Sequence, residues 1–190
     1  TQARYYGADP HWTTDGAIAA YEMLGVGLGF VPVTDYSLEE FTDEYVGSEY
    51  GRAAAWSVSL DTINLARNPA IDGMGLCRVV SVDQTECFDS VYVEPGPDTV
   101  DDYDVFVGGL GPIIELTNPS PSVSGHLVVF KDSYAQAVSP FLAQHYATVT
   151  LIDLRYVDRG YALDHVETDG ATILFLYSTS VINTDPRALN

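Results

Sequence analysis

The last third of this chain predicts an α/β fold built on a mostly parallel sheet. Three apolar runs, His126–Phe130, Ala147–Leu154 and Ala171–Tyr177, have the length and composition of buried strands. After the first, Tyr134, Ala137, Val138, Phe141, Leu142 and His145 recur at helical spacing, and residues 158–168 between the second and third are weakly helical. Strand–helix–strand–helix–strand calls for parallel strands joined by right-handed crossovers.

The elements before this core follow in order. Ala17, Ile18, Tyr21 and Leu24 place a helix over 14–25, capped by Thr13 or Thr14 and ended by Gly25, Gly27 and Gly29. That G-x-G-x-G follows a helix and not a strand, so it is no phosphate loop. Residues 41–100 read as a β-rich insertion, antiparallel or irregular. Its runs Ala54–Leu60, Leu76–Val82 and Phe88–Val93 are separated by Asn-Pro, Asp-Gly and Pro-Gly-Pro turns. Tyr103–Val107 resembles a short strand before Gly108-Gly109-Leu110-Gly111-Pro112. Pro140 kinks or breaks the helix after Tyr134. With 190 residues and no internal repeat, the simplest organisation is one domain over 1–190.

Composition narrows the function classes. A hydrophobic content of 46% supplies a core. Twenty-seven acidic against 8 basic residues give a formal charge of −19, which repels nucleic acid and anionic lipid. No apolar run is long enough for a membrane span. Cys77 and Cys87 sit ten positions apart across a predicted hairpin. They read either as a disulfide, which favours an extracytoplasmic setting, or as two free core thiols.

Two short motifs carry the chemistry. Asp9-Pro10-His11-Trp12 near the start and Lys131-Asp132-Ser133-Tyr134 downstream supply an acid, an imidazole and a hydroxyl, the groups of a serine acyl-transfer triad. Ser133 is placed at the carboxyl end of a strand, where α/β sheets gather ligands, and at the start of a helix, where free N–H groups face an oxyanion. The structural alternative is a helix cap, with Gln136 as capping-box partner. His11 is the candidate base and Asp9 its orienter. The structural alternative there is a cap-and-turn before the helix. Asp9 and His11 lack further ligands at metal-site spacing, so no metal or other cofactor is expected. Trp12 and Tyr134 are weaker substrate-binding candidates. Arg155 either binds substrate or pairs with an acid, and the pair is the favoured reading. His126, His145 and His165 read as structural.

The motifs resemble a known family. ADPHWTTDGAIAAY is similar to the signature of the DHHW proteins, bacterial relatives of the SGNH hydrolases. GSEYGRAA, DTINL, DDYDVFVGG, FKDSYAQAVSPFLAQHY and VTLIDLRY resemble its further blocks in the same order. The DxHW element also resembles that of alginate O-acetyltransferases. The resemblance implies an SGNH hydrolase-like three-layer fold with Asp9, His11 and Ser133 as acid, base and nucleophile. Pro10 stands in place of the family's first His, and Lys131 in place of the Gly of a GDS block. Leu110 stands where an Asn donor is expected, which leaves the backbone N–H groups of Ser133 and Gly109 as oxyanion donors. The implied activity is hydrolysis or transfer of O-acetyl or other acyl esters on carbohydrate, outside the cell or at its surface. The alternative is a non-catalytic carbohydrate-binding or cell-surface module on the same fold. Eight residues precede Asp9 where family members carry a long segment. The resemblance therefore implies the C-terminal portion of a longer secreted protein, associated with a segment upstream.

Overall fold

A computed structural model describes residues 3–48, 59–96, 101–120 and 122–184. Its centre is a six-stranded sheet ordered β4-β3-β5-β7-β6-β8. The strands are β3 (Gly75–Ser81), β4 (Gln84–Phe88), β5 (Ile113–Thr117), β6 (His126–Lys131), β7 (Thr148–Ile152) and β8 (Thr172–Leu176). A separate antiparallel ribbon pairs β1 (Ser37–Tyr45) with β2 (Asp61–Arg67). The helices are α1 (Thr14–Leu28), α2 (Pro69–Asp72), α3 (Ala135–Leu142), α4 (Arg159–His165) and α5 (Thr179–Thr184).

The sheet is mixed, which corrects the expectation of a mostly parallel one. Only β6 runs parallel to its neighbours, β7 and β8. Pairings β5–β7, β3–β5 and β3–β4 are antiparallel. The strand that converts one half into the other is β5. Its five residues, between a glycine-rich segment and Asn118-Pro119, were not foreseen. The described part of residues 41–100 splits in two: β2 joins the ribbon, whereas the β3–β4 hairpin extends the main sheet. Residues 54–58 of the expected run Ala54–Leu60 lie outside the described residues, and the observed strand begins at Asp61.

Alternation along β6 and β7 sorts side chains between two cores. Leu127, Val129, Val149 and Leu151 face Ala17 and Tyr21 of α1 and Val138, Phe141 and Leu142 of α3. Val128, Phe130 and Ile152 face the other way, onto Ala162 of α4 and Val166. Helix α1 runs through Gly25 and Gly27 and ends at Gly29, whose left-handed φ of 79° caps it. At its start the Thr13 side chain accepts the Gly16 N–H at 3.2 Å. Helix α3 tolerates Pro140 inside it and is buried along its whole length. Among the described residues no helix is long and apolar enough to cross a membrane.

Tyr103–Val107 is not the short strand that it resembles in sequence. Asp101 accepts the Tyr103 N–H at 3.0 Å and starts a 3-10 turn over Asp102–Val105. Phe106 then forms an isolated antiparallel bridge with Tyr92. Val107 (φ 52°), Gly108 (φ 71°) and Gly109 (φ 83°) follow as a left-handed run, costly for β-branched Val107.

Candidate active site

Strand β6 ends at Lys131, so Asp132 and Ser133 leave the carboxyl edge of the sheet. Asp132 fixes that exit: it accepts the Tyr134 N–H at 3.0 Å and the Ser178 N–H at 2.6 Å. Ser133 does not cap α3. The N-cap is Tyr134, and no side-chain cap bond forms. The Ser133 hydroxyl instead lies 2.8 Å from Nε2 of His11.

His11 sits in the loop before α1. Its Nδ1 lies 2.6 Å from Oδ1 of Asp9, and the same oxygen accepts the His11 backbone N–H at 2.8 Å. The turn foreseen around Asp9 thus coexists with the side-chain bond. Oδ2 of Asp9 accepts the Ser48 N–H at 2.9 Å and the Ser48 hydroxyl at 2.6 Å. Burial pushes the Asp9 carboxyl up, but the bonds from His11 and Ser48 outweigh it and hold it well below the usual carboxylate range. An ionised Asp9 only accepts, so Nδ1 must carry a proton to bond it, and the tautomer with its proton on Nδ1 leaves Nε2 as an acceptor for the Ser133 hydroxyl. Asp9 and His11 are buried, at 5% and 9% exposure.

The two motif loops are stitched together. Trp12 donates its indole N–H to the Tyr134 carbonyl at 2.9 Å, and the Tyr134 hydroxyl donates to the Pro10 carbonyl at 2.6 Å. Two aromatic rings lie against the His11 ring. Tyr103 stacks on it at 4.3 Å and 13°, and Tyr134 lies at 5.2 Å and 52°.

The Ser133 N–H has no acceptor among the described residues. The Gly109 N–H is committed, donating to the Phe106 carbonyl at 3.1 Å. The Gly108 carbonyl in the same peptide accepts from Arg78, so both sides of that plane are occupied. Arg155 makes the acid pair: its Nε and Nη2 reach Asp153 at 2.9 Å and 2.6 Å. Cys77 and Cys87 face each other across β3–β4 and are bonded.

Two contributors escaped the sequence reading. Ser48 lies in the GSEYGRAA block but carries no chemical signature of its own. Tyr103 was one of 13 tyrosines. Lys131, the sole lysine, is wholly buried, with no hydrogen-bond partner at Nζ among the described residues and Oδ2 of Asp153 3.9 Å away. Among the described residues no group of three or more His, Cys, Asp or Glu converges as a metal site.

Comparison with solved structures places this geometry in a known fold. A DHHW family protein from Eubacterium siraeum superposes with a TM-score of 0.75 at 20% identity, over 98% of this chain and 62% of its own. PatB1 of Bacillus cereus with a sulfonyl adduct gives 0.67 at 21% identity, over 95% and 62%. A second PatB1 structure gives 0.65 at 21% identity, over 95% and 64%. The chain thus spans less than two thirds of the length of each. No curated protein matches it. The model of the DHHW proteins matches residues 1–152, the stretch that carries Asp9, His11, Ser48 and Ser133, and the chain belongs to that family.

Proposed function

We propose that this protein is a serine acyl hydrolase or O-acyltransferase of SGNH type, related to the alginate O-acetyltransferases. Its substrates on this reading are O-acetyl or other O-acyl esters of carbohydrate. The observation that carries the reading is the unbroken chain Ser133–His11–Asp9–Ser48, with spacings of 2.8, 2.6 and 2.6 Å. Ser133 Oγ attacks the acyl carbonyl as its proton passes to Nε2 of His11, and Asp9 steadies the imidazolium through Nδ1. The C–O bond to the sugar breaks, and the imidazolium returns the proton to the leaving oxygen. Water or a second sugar hydroxyl then gives its proton to His11 and takes the acyl group, and the imidazolium passes that proton to Ser133 Oγ as the acyl–Oγ bond breaks. Water makes the protein an esterase; a sugar makes it a transferase.

The Ser133 N–H is the first oxyanion donor in this scheme. Since the Gly109 N–H is already bonded, a second donor comes from another peptide or from a shift of the Gly108–Gly109 loop on binding. The part-exposed Trp12 and Tyr134, the chain neighbours of His11 and Ser133, offer ring faces that suit a pyranose. PatB1 takes a sulfonyl adduct, and sulfonyl electrophiles mark activated nucleophiles; we assign that reactivity here to Ser133. The Cys77–Cys87 bond supports an extracellular or cell-surface location.

The test is acetate release from an aryl acetate, alongside the mass gain after treatment with an aryl sulfonyl fluoride. Wild type is expected to show both and Ser133→Ala neither. Equal rates in the two proteins would sink the assignment. The occupied Gly109 N–H favours a second reading, a carbohydrate-binding module without turnover. Oligosaccharide binding by wild type, with neither acetate release nor labelling, selects it.

A further inference from the structure

We infer that Tyr103 is a positioning residue for the reaction proposed above, its ring face setting the plane in which His11 reaches both Asp9 and Ser133. The inference rests on that reading and extends it to a residue outside the triad.

The two bonds of the imidazole lie in its own plane and point to opposite ends of the chain. Asp9 is two residues from His11, and Ser133 is 122 residues away. A tilt of the ring misaligns both bonds at once, and hydrogen bonds weaken steeply as the donor angle closes. Neither bond resists a tilt as a flat surface does. Tyr103 supplies that surface, its ring within 13° of parallel to the imidazole at a centroid distance of 4.3 Å. Tyr134, the other ring near the imidazole, is inclined to it by 52° and is part-exposed, so it cannot serve as the reference plane.

Tyr103 is itself closely packed. Its ring is 1% exposed and packs against Phe106 at 5.0 Å and Tyr6 at 6.2 Å. Its N–H is held by Asp101 at 3.0 Å at the start of the 3-10 turn. The turn therefore replaces the expected strand with a backstop for the base. The Tyr103 hydroxyl is buried with no hydrogen-bond partner among the described residues, so the ring face and not the phenol does the holding. The same face meets the imidazolium that acyl transfer creates, and the negative centre of an aromatic ring favours a cation there.

The experiment compares Tyr103→Leu and Tyr103→Phe with wild type in thermal melting, aryl acetate kinetics and the low-field proton NMR signal of the His11 Nδ1–H. Tyr103→Leu is expected to fold, to lose about ten-fold in kcat with KM within about two-fold, and to broaden or lose the signal. Tyr103→Phe is expected to rescue kcat to within about three-fold and to restore the signal. A folded Tyr103→Leu with kcat and signal intact overturns the inference. So does a Tyr103→Phe as impaired as Tyr103→Leu, since the hydroxyl would then be responsible. Should Tyr103→Leu not fold, Tyr103→Phe decides alone by the same criterion. If wild type releases no acetate, the proposed function fails by itself. The NMR signal of the variants against wild type still tests the positioning.

Discussion

Ser48 donates twice to Asp9, its backbone N–H at 2.9 Å and its hydroxyl at 2.6 Å, both to Oδ2. Oδ1 is thereby left to His11, which bonds it through the backbone N–H and Nδ1. The buried carboxylate has its lone pairs satisfied from two chain segments, and it stays ionised for that reason. The arrangement makes the GSEYGRAA segment part of the site at its Gly47-Ser48 end.

Replacing Ser48 with Ala removes the hydroxyl and keeps the N–H. A hydrogen bond to a charged group contributes about 1.5–3 kcal/mol, so a stability loss of that order is expected at pH 7. The native Asp9 carboxyl is held below its ordinary value. Its contribution is therefore fully present above the unfolded value of about 3.9 and is lost as pH falls through the lowered native value. The gap between wild type and Ser48→Ala in denaturant melts should be the same at pH 7 and pH 5 and should close only in strongly acidic solution. A gap that has already vanished at pH 5 would refute this account of Asp9.

Gly47 makes the double bond geometrically possible. Its φ is 76°, and a Cβ built there would run into the Ala8 carbonyl and the Asp9 side chain. Gly47→Ala is expected to cost more than about 1 kcal/mol of stability and to lower acetate release at least ten-fold, because the Asp9 loop must move. Gly29→Ala is the control. That residue also has positive φ, 79°, but a Cβ there meets nothing within 4 Å. Stability alone should fall in the control; parallel losses of activity in both variants would argue against the steric explanation.

These two residues also show where sequence reading stops. Asp9, His11 and Ser133 stand out as candidates by type, since few side chains are able to transfer protons or attack carbonyls, and the strand before Ser133 has an apolar run that fixes its face. Ser48 and Gly47 are indistinguishable from any loop pair until the fold brings them to Asp9. Strand direction was equally hidden. Ile113–Thr117 has the right residues for a strand, but nothing local says that it pairs antiparallel to β7 while β6 pairs parallel to it. Tyr103–Val107 resembles a short strand in sequence, yet the Asp101 side chain captures the Tyr103 N–H and the backbone coils instead.

The Cys77–Cys87 bond staples the β3–β4 hairpin. Neighbouring Arg78 pairs with Glu86 at 2.9 Å and also holds the Gly108 carbonyl. Loop-closure entropy for so short a loop gives about 2–3 kcal/mol. The double variant Cys77→Ser with Cys87→Ser should lose that much in a denaturant melt, as should wild type under reductant. Wild type melting identically with and without reductant would show that the bond adds nothing.

Lys131 sets a pH dependence of unusual sign. Burial pushes its ammonium down to about 8 from 10.5, against the pull of Asp153; Arg155 lowers it further, while Asp132 and Asp104 raise it. Below pH 8 both native and unfolded chains hold the proton, and the cost of the buried cation is fully felt. As pH rises past about 8 the native state releases the proton first, while the unfolded lysine keeps it to about 10.4. The unfolded state then binds more protons, so stability climbs by up to about 1.4 kcal/mol per pH unit. Tyr6, Tyr45, Tyr92 and Tyr103 act in the opposite sense at higher pH. Burial raises their phenols, so the unfolded chain ionises first and is favoured. The usable window is therefore roughly pH 8 to 9.5. Across it, wild type should gain stability relative to Lys131→Met, which has nothing to titrate there and keeps Asp153 paired with Arg155. Parallel curves for the two proteins would mean that the lysine keeps its proton throughout, held by Asp153 in spite of burial.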